Sequence, residues 1–217
     1  MTPASKQLPL MVQKFGGTSV GTVERIKAVA KMIQSSSLNQ QNIIVVSAMA
    51  GQTNSLVKLA NEFSADTNSN AYDMLLASGE QVSCALLALA LEEIGVKAMP
   101  LLGFQVGIET DAFHSKARIT RIKTEILRNC LDQNIVPIVA GFQGVVVEDS
   151  IQRLTTLGRG GSDTTAVALA IAVEADRCDI FTDVDGVYTA DPRMVPKARK
   201  LEKISFDEMM EMASLGA

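Results

Sequence analysis

The chain has no tryptophan, two tyrosines and one histidine, and aromatic residues fill only 4% of its 217 positions. A series of nucleic-acid bases would have no platforms to stack on. A formal net charge of −4 also withholds the basic face that a phosphate backbone requires. The single histidine, His114, falls in a polar loop and is read as having no catalytic role. Three cysteines, Cys84, Cys130 and Cys178, are odd in number, lack metal-ligand spacing and sit in apolar surroundings. They read as reduced core residues of a cytoplasmic protein. The N-terminus shows no charged-then-apolar signal pattern. No apolar stretch reaches the roughly 18 residues of a membrane span, and "CALLALALEEIG" reads as a buried helix. Zinc motifs, the G-x-S-x-G elbow and the dinucleotide fingerprint G-x-G-x-x-G are absent too.

What is present is apolar bulk. Hydrophobic residues make up 47% and charged residues 20%, enough for one large domain or two small ones. "LMVQKF" (10–15), "NIIVVSAMAG" (42–51), "VKAMPLL" (96–102) and "CDIFTDV" (178–184) read as strands, and "IVPIVAGFQGVVV" (135–147) contains strand. The continuous apolar runs suit strands covered on both faces. "TVERIKAVAKMI" (22–33) sets Ile26, Val29, Ala30 and Ile33 on one helical face. Residues 54–63, 71–95 and 120–133 read as helices, and "SFDEMMEMASLG" opens with a capping box, Ser205 and Glu208. Strands alternating with helices predict an α/β protein with a mostly parallel sheet. In such sheets ligands bind beyond the carboxyl ends of the strands, so the residues just after each strand carry the information.

After the first strand comes "KFGGTS". Gly16 and Gly17 let backbone N–H groups approach an anion without a Cβ in the way, and Lys14 adds a charge suited to phosphate. The common P-loop pattern is absent, and a plain Gly-Gly turn remains the alternative. In "GRGGSDTTAVALAIAV" a nearly all-apolar helix begins near Ser162 or Asp163, and its N-terminus attracts anions. Arg159, placed between glycines, can grip a carboxylate bidentately; simple capping by Ser162 or Asp163 is the other reading. "FTDVDGVYTADPR" supplies Thr182, Asp183, Asp185, Tyr188, Asp191, Pro192 and Arg193, either as a turn-rich exit loop or as a nucleotide pocket. Glu80 stands inside an apolar helical segment, where a carboxylate needs a partner: a ligand ammonium, or an internal lysine or arginine. Glycines, a lysine, an arginine and scattered acids without a histidine base suit phosphoryl transfer. A carboxylate acceptor would need no base, being ionised already at pH 7.

Together "KFGGTSVG", "VVSAMAGQTNSL", "LLASGEQVS", "VAGFQG", "TTLGRGGSDTTA" and "FTDVDGVYTADPR" resemble, in order and spacing, the aspartate kinases of the amino acid kinase fold family. The resemblance implies a three-layer α/β sandwich around a central, mostly parallel sheet. Residues to about 150 would form the amino-acid-binding part and 151–217 the start of the nucleotide-binding part. It implies ATP-dependent phosphorylation of the aspartate side chain, with Mg²⁺, as the entry step toward lysine, threonine and methionine. The catalytic residues would be Lys14 and Asp163. Aspartate would be bound by Ser47, Thr53, Glu80, Arg159 and Ser162. The nucleotide would meet Lys14, Phe15, Gly16, Gly17, Thr182, Asp183, Tyr188, Asp191, Pro192 and Arg193. Spacing does not choose between Asp163 and Asp183 as neighbours of Mg²⁺, and no dedicated metal cage is expected. The chain stops at Leu215-Gly216-Ala217, short of a lysine-bearing segment and of the regulatory domains that follow in the family. It is therefore expected to be C-terminally incomplete, with a weakened homo-oligomer. Partners would be L-aspartate and ATP, not nucleic acid or membrane. Two alternatives stay open: another amino acid kinase acting on glutamate, acetylglutamate, carbamate or a nucleotide monophosphate, or a non-catalytic binding fragment.

Overall fold

A computed structural model describes residues 8–63, 66–148, 150–158, 160–183, 186, 188–190, 194–195 and 197–204. Arg159, Asp185, Asp191, Pro192, Arg193 and the Ser205–Glu208 capping box lie outside the described residues. In chain order the elements are β1 (Leu10–Phe15), α1 (Val23–Ser36), β2 (Gln41–Val46), α2 (Gln52–Asn61), α3 (Asn70–Glu93), β3 (Ala98–Leu101), α4 (Gly103–Val106), β4 (Ile108–Thr110), β5 (Ile119–Ile122), α5 (Glu125–Asp132), β6 (Val136–Ala140), β7 (Gln143–Glu148), β8 (Ile151–Thr156), α6 (Gly161–Ala172) and β9 (Arg177–Phe181).

Five strands form the central sheet in the order β3-β6-β2-β1-β9, and every pairing in it is parallel. Side chains alternate between its faces. Phe15, Ile44, Val46, Ile138 and Ala140 pack with α1 and α3 through Ile26, Ile33, Leu87 and Leu91. Val12, Ile43, Val45 and Val139 pack on the other face with Leu127 and Leu131 of α5 and Leu169 of α6. Helices thus cover both faces, giving the three layers expected. The buried residues of α1 are Ile26, Val29, Ala30 and Ile33, and Thr22 caps it by accepting the Arg25 N–H. That is the face the 3.6-residue spacing predicts.

Two expectations give way. Residues 120–133 are not one helix: β5 comes first, and α5 begins only at Glu125. Ile119, Thr120 and Ile122 are β-branched residues that favour a pleated strand, and β5 pairs antiparallel with β4. Residues 135–147 do contain strand, as two elements rather than one. Phe142 turns at φ 69, so β6 stays in the central sheet while β7 joins a second sheet, β5-β4-β7-β8, that the sequence reading did not foresee. By length and composition α3 could cross a membrane, against the sequence expectation that no stretch could. Here it is a core helix, burying Leu76, Ala77, Ser83, Cys84, Leu87 and Leu91.

Residues up to Phe181 form one compact unit and those from Thr182 a second. In the second, the Thr189 N–H donates to Arg199 O at 2.9 Å, the Arg199 N–H to Thr189 Oγ1 at 3.1 Å, and Tyr188 bridges antiparallel to Lys200.

Leu87 of α3 is fully buried in the cluster beneath the sheet. Leu87→Ala is expected to lower stability by about 2–5 kcal/mol, read as a shift of the urea midpoint at unchanged slope. A shift worth well under about 1 kcal/mol would show that α3 is not part of the core.

Candidate active site

The carboxyl ends of the central strands are closed against one another by backbone bonds. The Ser47 N–H donates to Phe15 O at 3.1 Å, Gly141 to Val46 O at 3.0 Å and Gly16 to Phe181 O at 3.0 Å. Phe15 and Phe181 stack with ring centroids 4.7 Å apart. Each strand's outgoing loop therefore starts from a fixed point on the same edge. In the Gly16–Val20 turn the N–H groups of Ser19 and Val20 go to Gly16 O. Among the described residues the N–H groups of Gly17 and Thr18 keep no protein partner. These two, and not Gly16, are the donors this turn can offer an anion. Gly17 is glycine for a second reason: a Cβ there would lie 2.8 Å from Ala48 O.

Lys14 lies one residue before the end of β1, on the face covered by α6, and only 6% of it is exposed. Its Nζ lies 2.6 Å from Oδ1 of Asp163 in the first turn of α6. The contact is an ion pair by distance rather than an aligned hydrogen bond, since among the described residues that oxygen has no donor on line. The Asp163 carboxylate is 43% exposed, so one side holds the lysine and the other faces outward. Beside it Ser47 Oγ and Ser162 Oγ hydrogen-bond at 2.7 Å across 115 sequence positions. A Cβ on Gly141 would lie 2.8 Å from Ser162 Cβ, so glycine there lets α6 come this close to the strand end. Thr165 Oγ1 accepts the Phe142 N–H at 3.1 Å and fastens the helix to the same loop.

Glu80 comes to this edge from α3 and is 4% exposed. Its Oε1 accepts the Ala48 N–H at 3.1 Å, while Oε2 has no partner among the described residues. Burial, with only partial relief from backbone N–H groups, pushes its carboxyl up to about 7. Among the described residues no lysine or arginine pairs with it, so the internal-cation alternative is not met. One turn on, Ser83 Oγ donates to Ser47 O at 2.6 Å. Glu80 and Ser83 thus clamp successive residues of the loop after β2.

The structure gathers Lys14, Phe15, Gly16, Gly17, Ser47, Glu80, Ser162 and Asp163 at one sheet edge. Thr53 sits half-buried in the first turn of α2. Thr182, Asp183 and Tyr188 belong to the second unit, where Thr182 Oγ1 donates to Asp183 Oδ1 at 3.2 Å. Ser83 and Thr165 were missed by the sequence reading. The i, i+3 spacing of Glu80 and Ser83 was the one available hint of the first, and nothing local marks the second.

Residues 9–217 match the amino acid kinase family. An aspartokinase of Rickettsia bellii is 53% identical over 214 residues, covering 97% of this chain and 52% of that protein. A solved aspartate kinase from Synechocystis shares 50% identity at a TM-score of 0.76, over 95% of this chain and 34% of the other. Aspartokinase III of E. coli, solved in complex with aspartate and ADP, shares 31% identity at a TM-score of 0.79, over 94% of this chain and 56% of the other. The chain spans about half the length of the curated relatives it matches.

Glu80 also makes stability depend on pH. The folded carboxyl holds its proton to about 7, whereas the unfolded one releases it near 4.5. Between those values the folded state binds more protons, so stability falls as pH rises through the window, by about 3 kcal/mol in full. Glu80→Gln cannot ionise. Without ligands its stability relative to the parent protein is expected to rise by about that amount from pH 4.5 to 8, measured by urea unfolding. A difference flat with pH would place an unseen cation on Glu80.

Proposed function

The chain belongs to the amino acid kinase family, and from that membership we propose that it transfers the γ-phosphoryl group of ATP to the side-chain carboxylate of L-aspartate, giving 4-phospho-L-aspartate. The observation that carries this reading is Glu80, a buried carboxylate with one oxygen that has no partner among the described residues. It holds the N–H of Ala48, next in the chain to Ser47 of the Ser47–Ser162 hydroxyl pair. An amino acid supplies what each group lacks. Its ammonium partners Glu80, and its carboxylates take hydroxyls from Ser47, Thr53 and Ser162 and the guanidinium of Arg159. The aspartokinase III complex with aspartate and ADP supports the same pair of ligands.

In this reading both the acceptor carboxylate and the phosphate are anionic, so the barrier is repulsion more than proton removal. Lys14 stands between them with its charge held by Asp163, and the N–H groups of Gly17 and Thr18 and the α6 N-terminus add positive potential. Residues to about 150, joined by Arg159 and Ser162, carry the amino-acid side. The stretch from about 151 begins the nucleotide side, with Thr182, Asp183, Tyr188, Asp191, Pro192 and Arg193 toward ATP. Among the described residues no three acids or histidines converge into a metal cage. Mg²⁺ commonly uses one or two carboxylates together with substrate phosphates, and the outward side of Asp163, or Asp183, fits that demand. When bound, the ion would supply charge neutralisation at the phosphates. Cys84, Cys130 and Cys178 are all free, which suits a cytoplasmic setting.

The test is ATP-dependent acyl-phosphate formation trapped with hydroxylamine, run on aspartate, glutamate and acetylglutamate in parallel with the full-length protein. Signal with aspartate alone is expected. Signal with another acceptor alone would reassign the substrate within the family, and no signal with any would favour a non-catalytic binding role. In the same assay Lys14→Ala is expected to lower kcat by about 10²-fold or more with aspartate binding little changed; unchanged turnover would remove Lys14 from the phosphate site.

A further inference from the structure

Seven residues before Glu80, on the same buried face of α3, stands Asp73, a carboxylate with no exposure at all. Its surroundings are donors. His114 Nδ1 lies 2.6 Å from Oδ2. The Ser115 N–H reaches both oxygens, at 3.0 and 3.2 Å. Thr156 Oγ1 donates to Oδ1 at 2.5 Å, and Ser115 Oγ lies 3.3 Å from the same atom while also donating to Thr67 O. A carboxylate this well supplied is a junction. It ties α3 to the β4–β5 loop, which carries His114 and Ser115, and to Thr156 at the end of β8.

The junction has a direction. Ser115 holds φ 62 without being glycine, a strained setting that persists only where the surroundings enforce it. Here Asp73 grips its N–H. Its carbonyl in turn faces Gly158: a Cβ there would lie 3.1 Å from Ser115 O, and Gly158 itself turns at φ 78. The Ala117 N–H donates to Thr156 O at 2.9 Å, Leu157 to Phe142 O at 2.9 Å and Gly161 to Gly158 O at 3.1 Å. The next residues are Ser162 and Asp163 of α6. A path of direct contacts therefore runs from Asp73 through Ser115 and Thr156 to the glycine stretch that opens α6.

We propose that Asp73, acting through His114, Ser115 and Thr156, is a positioning residue that fixes the entry to α6 and thereby the amino-acid side of the site. One helix then sets that side twice, Glu80 clamping the loop after β2 and Asp73 the loop after β8. The proposal rests on the reading of the α6 entry as the acceptor-binding loop. Asp73→Asn replaces one acceptor oxygen with an NH₂ group that faces donors, so it breaks the junction at nearly constant volume. His114→Leu removes a single arm. His114→Asn returns a side-chain donor close to where Nδ1 stood.

The experiment compares these three variants with the parent full-length protein, with thermal midpoints recorded alongside. Amide hydrogen exchange across residues 157–163, with no substrate present, reads the lock itself. KM for the acceptor against KM for ATP and kcat reads its consequence. Asp73→Asn and His114→Leu are expected to speed exchange in that segment and to raise acceptor KM by about tenfold, with ATP KM and kcat within about twofold. His114→Asn is expected to restore both. Unchanged exchange would overturn the lock. Faster exchange with unchanged acceptor KM would overturn its role in positioning. A parallel rise in ATP KM, or His114→Asn behaving like His114→Leu, would leave only general support of the fold. Failure of the aspartate reading shows in the parent protein alone, and the KM arm then uses whichever acceptor the parent phosphorylates.

Discussion

The backbone bonds that close the carboxyl ends of β1, β2, β6 and β9 set where everything else can stand. Ser47 bonded to Phe15, Gly141 to Val46 and Gly16 to Phe181 bring four strand ends to one level. A parallel sheet covered on both faces is mostly apolar along its length, and the polar groups named for the site stand at this edge. The helices decide which groups arrive. α6 brings Ser162 and Asp163 because Gly141 lets its first turn sit against the strand end. α3 brings Glu80 from the opposite layer.

Charge at this edge is held unevenly, and that is chemically useful. Lys14 is buried but paired, so its desolvation is partly offset and its charge points one way. Glu80 is buried with an oxygen unpaired among the described residues, which is costly by itself and favourable once a cation binds. Binding of an ammonium group would therefore relieve a penalty built into the folded protein. The second buried carboxylate of α3, Asp73, is the reverse case: it is saturated with donors, which suits a structural tie rather than a ligand contact.

Particular elements show how far local pattern reaches. The strand at 10–15 and the buried face of α1 follow from periodicity, because both bury a repeating set of apolar side chains whatever the partner. The segment 120–133 shows the limit. Its apolar spacing fits a helix, yet Ile119–Ile122 are drawn into pairing with β4, a partner that periodicity cannot display. His114 marks the same limit. In the sequence it is one polar residue in a polar loop, and only the fold shows it closing on Asp73 from 41 positions away.

The sequence by itself determined the α/β class, the buried strands, the glycine-rich turns and the residue types available for phosphoryl transfer, since these depend on local geometry and burial. It also carried the six ordered motifs that resemble aspartate kinases, and the aspartokinase relatives together with the family match bear that out. Only the tertiary structure decided that Lys14 meets Asp163, that Ser47 meets Ser162 and that Glu80 faces the loop after β2 with no lysine or arginine beside it among the described residues. It also decided that a second sheet holds the β4–β5 loop against α3. Each of these depends on which strands lie side by side. Strand order is settled by packing two helical layers onto one sheet, a constraint that no single stretch of sequence contains.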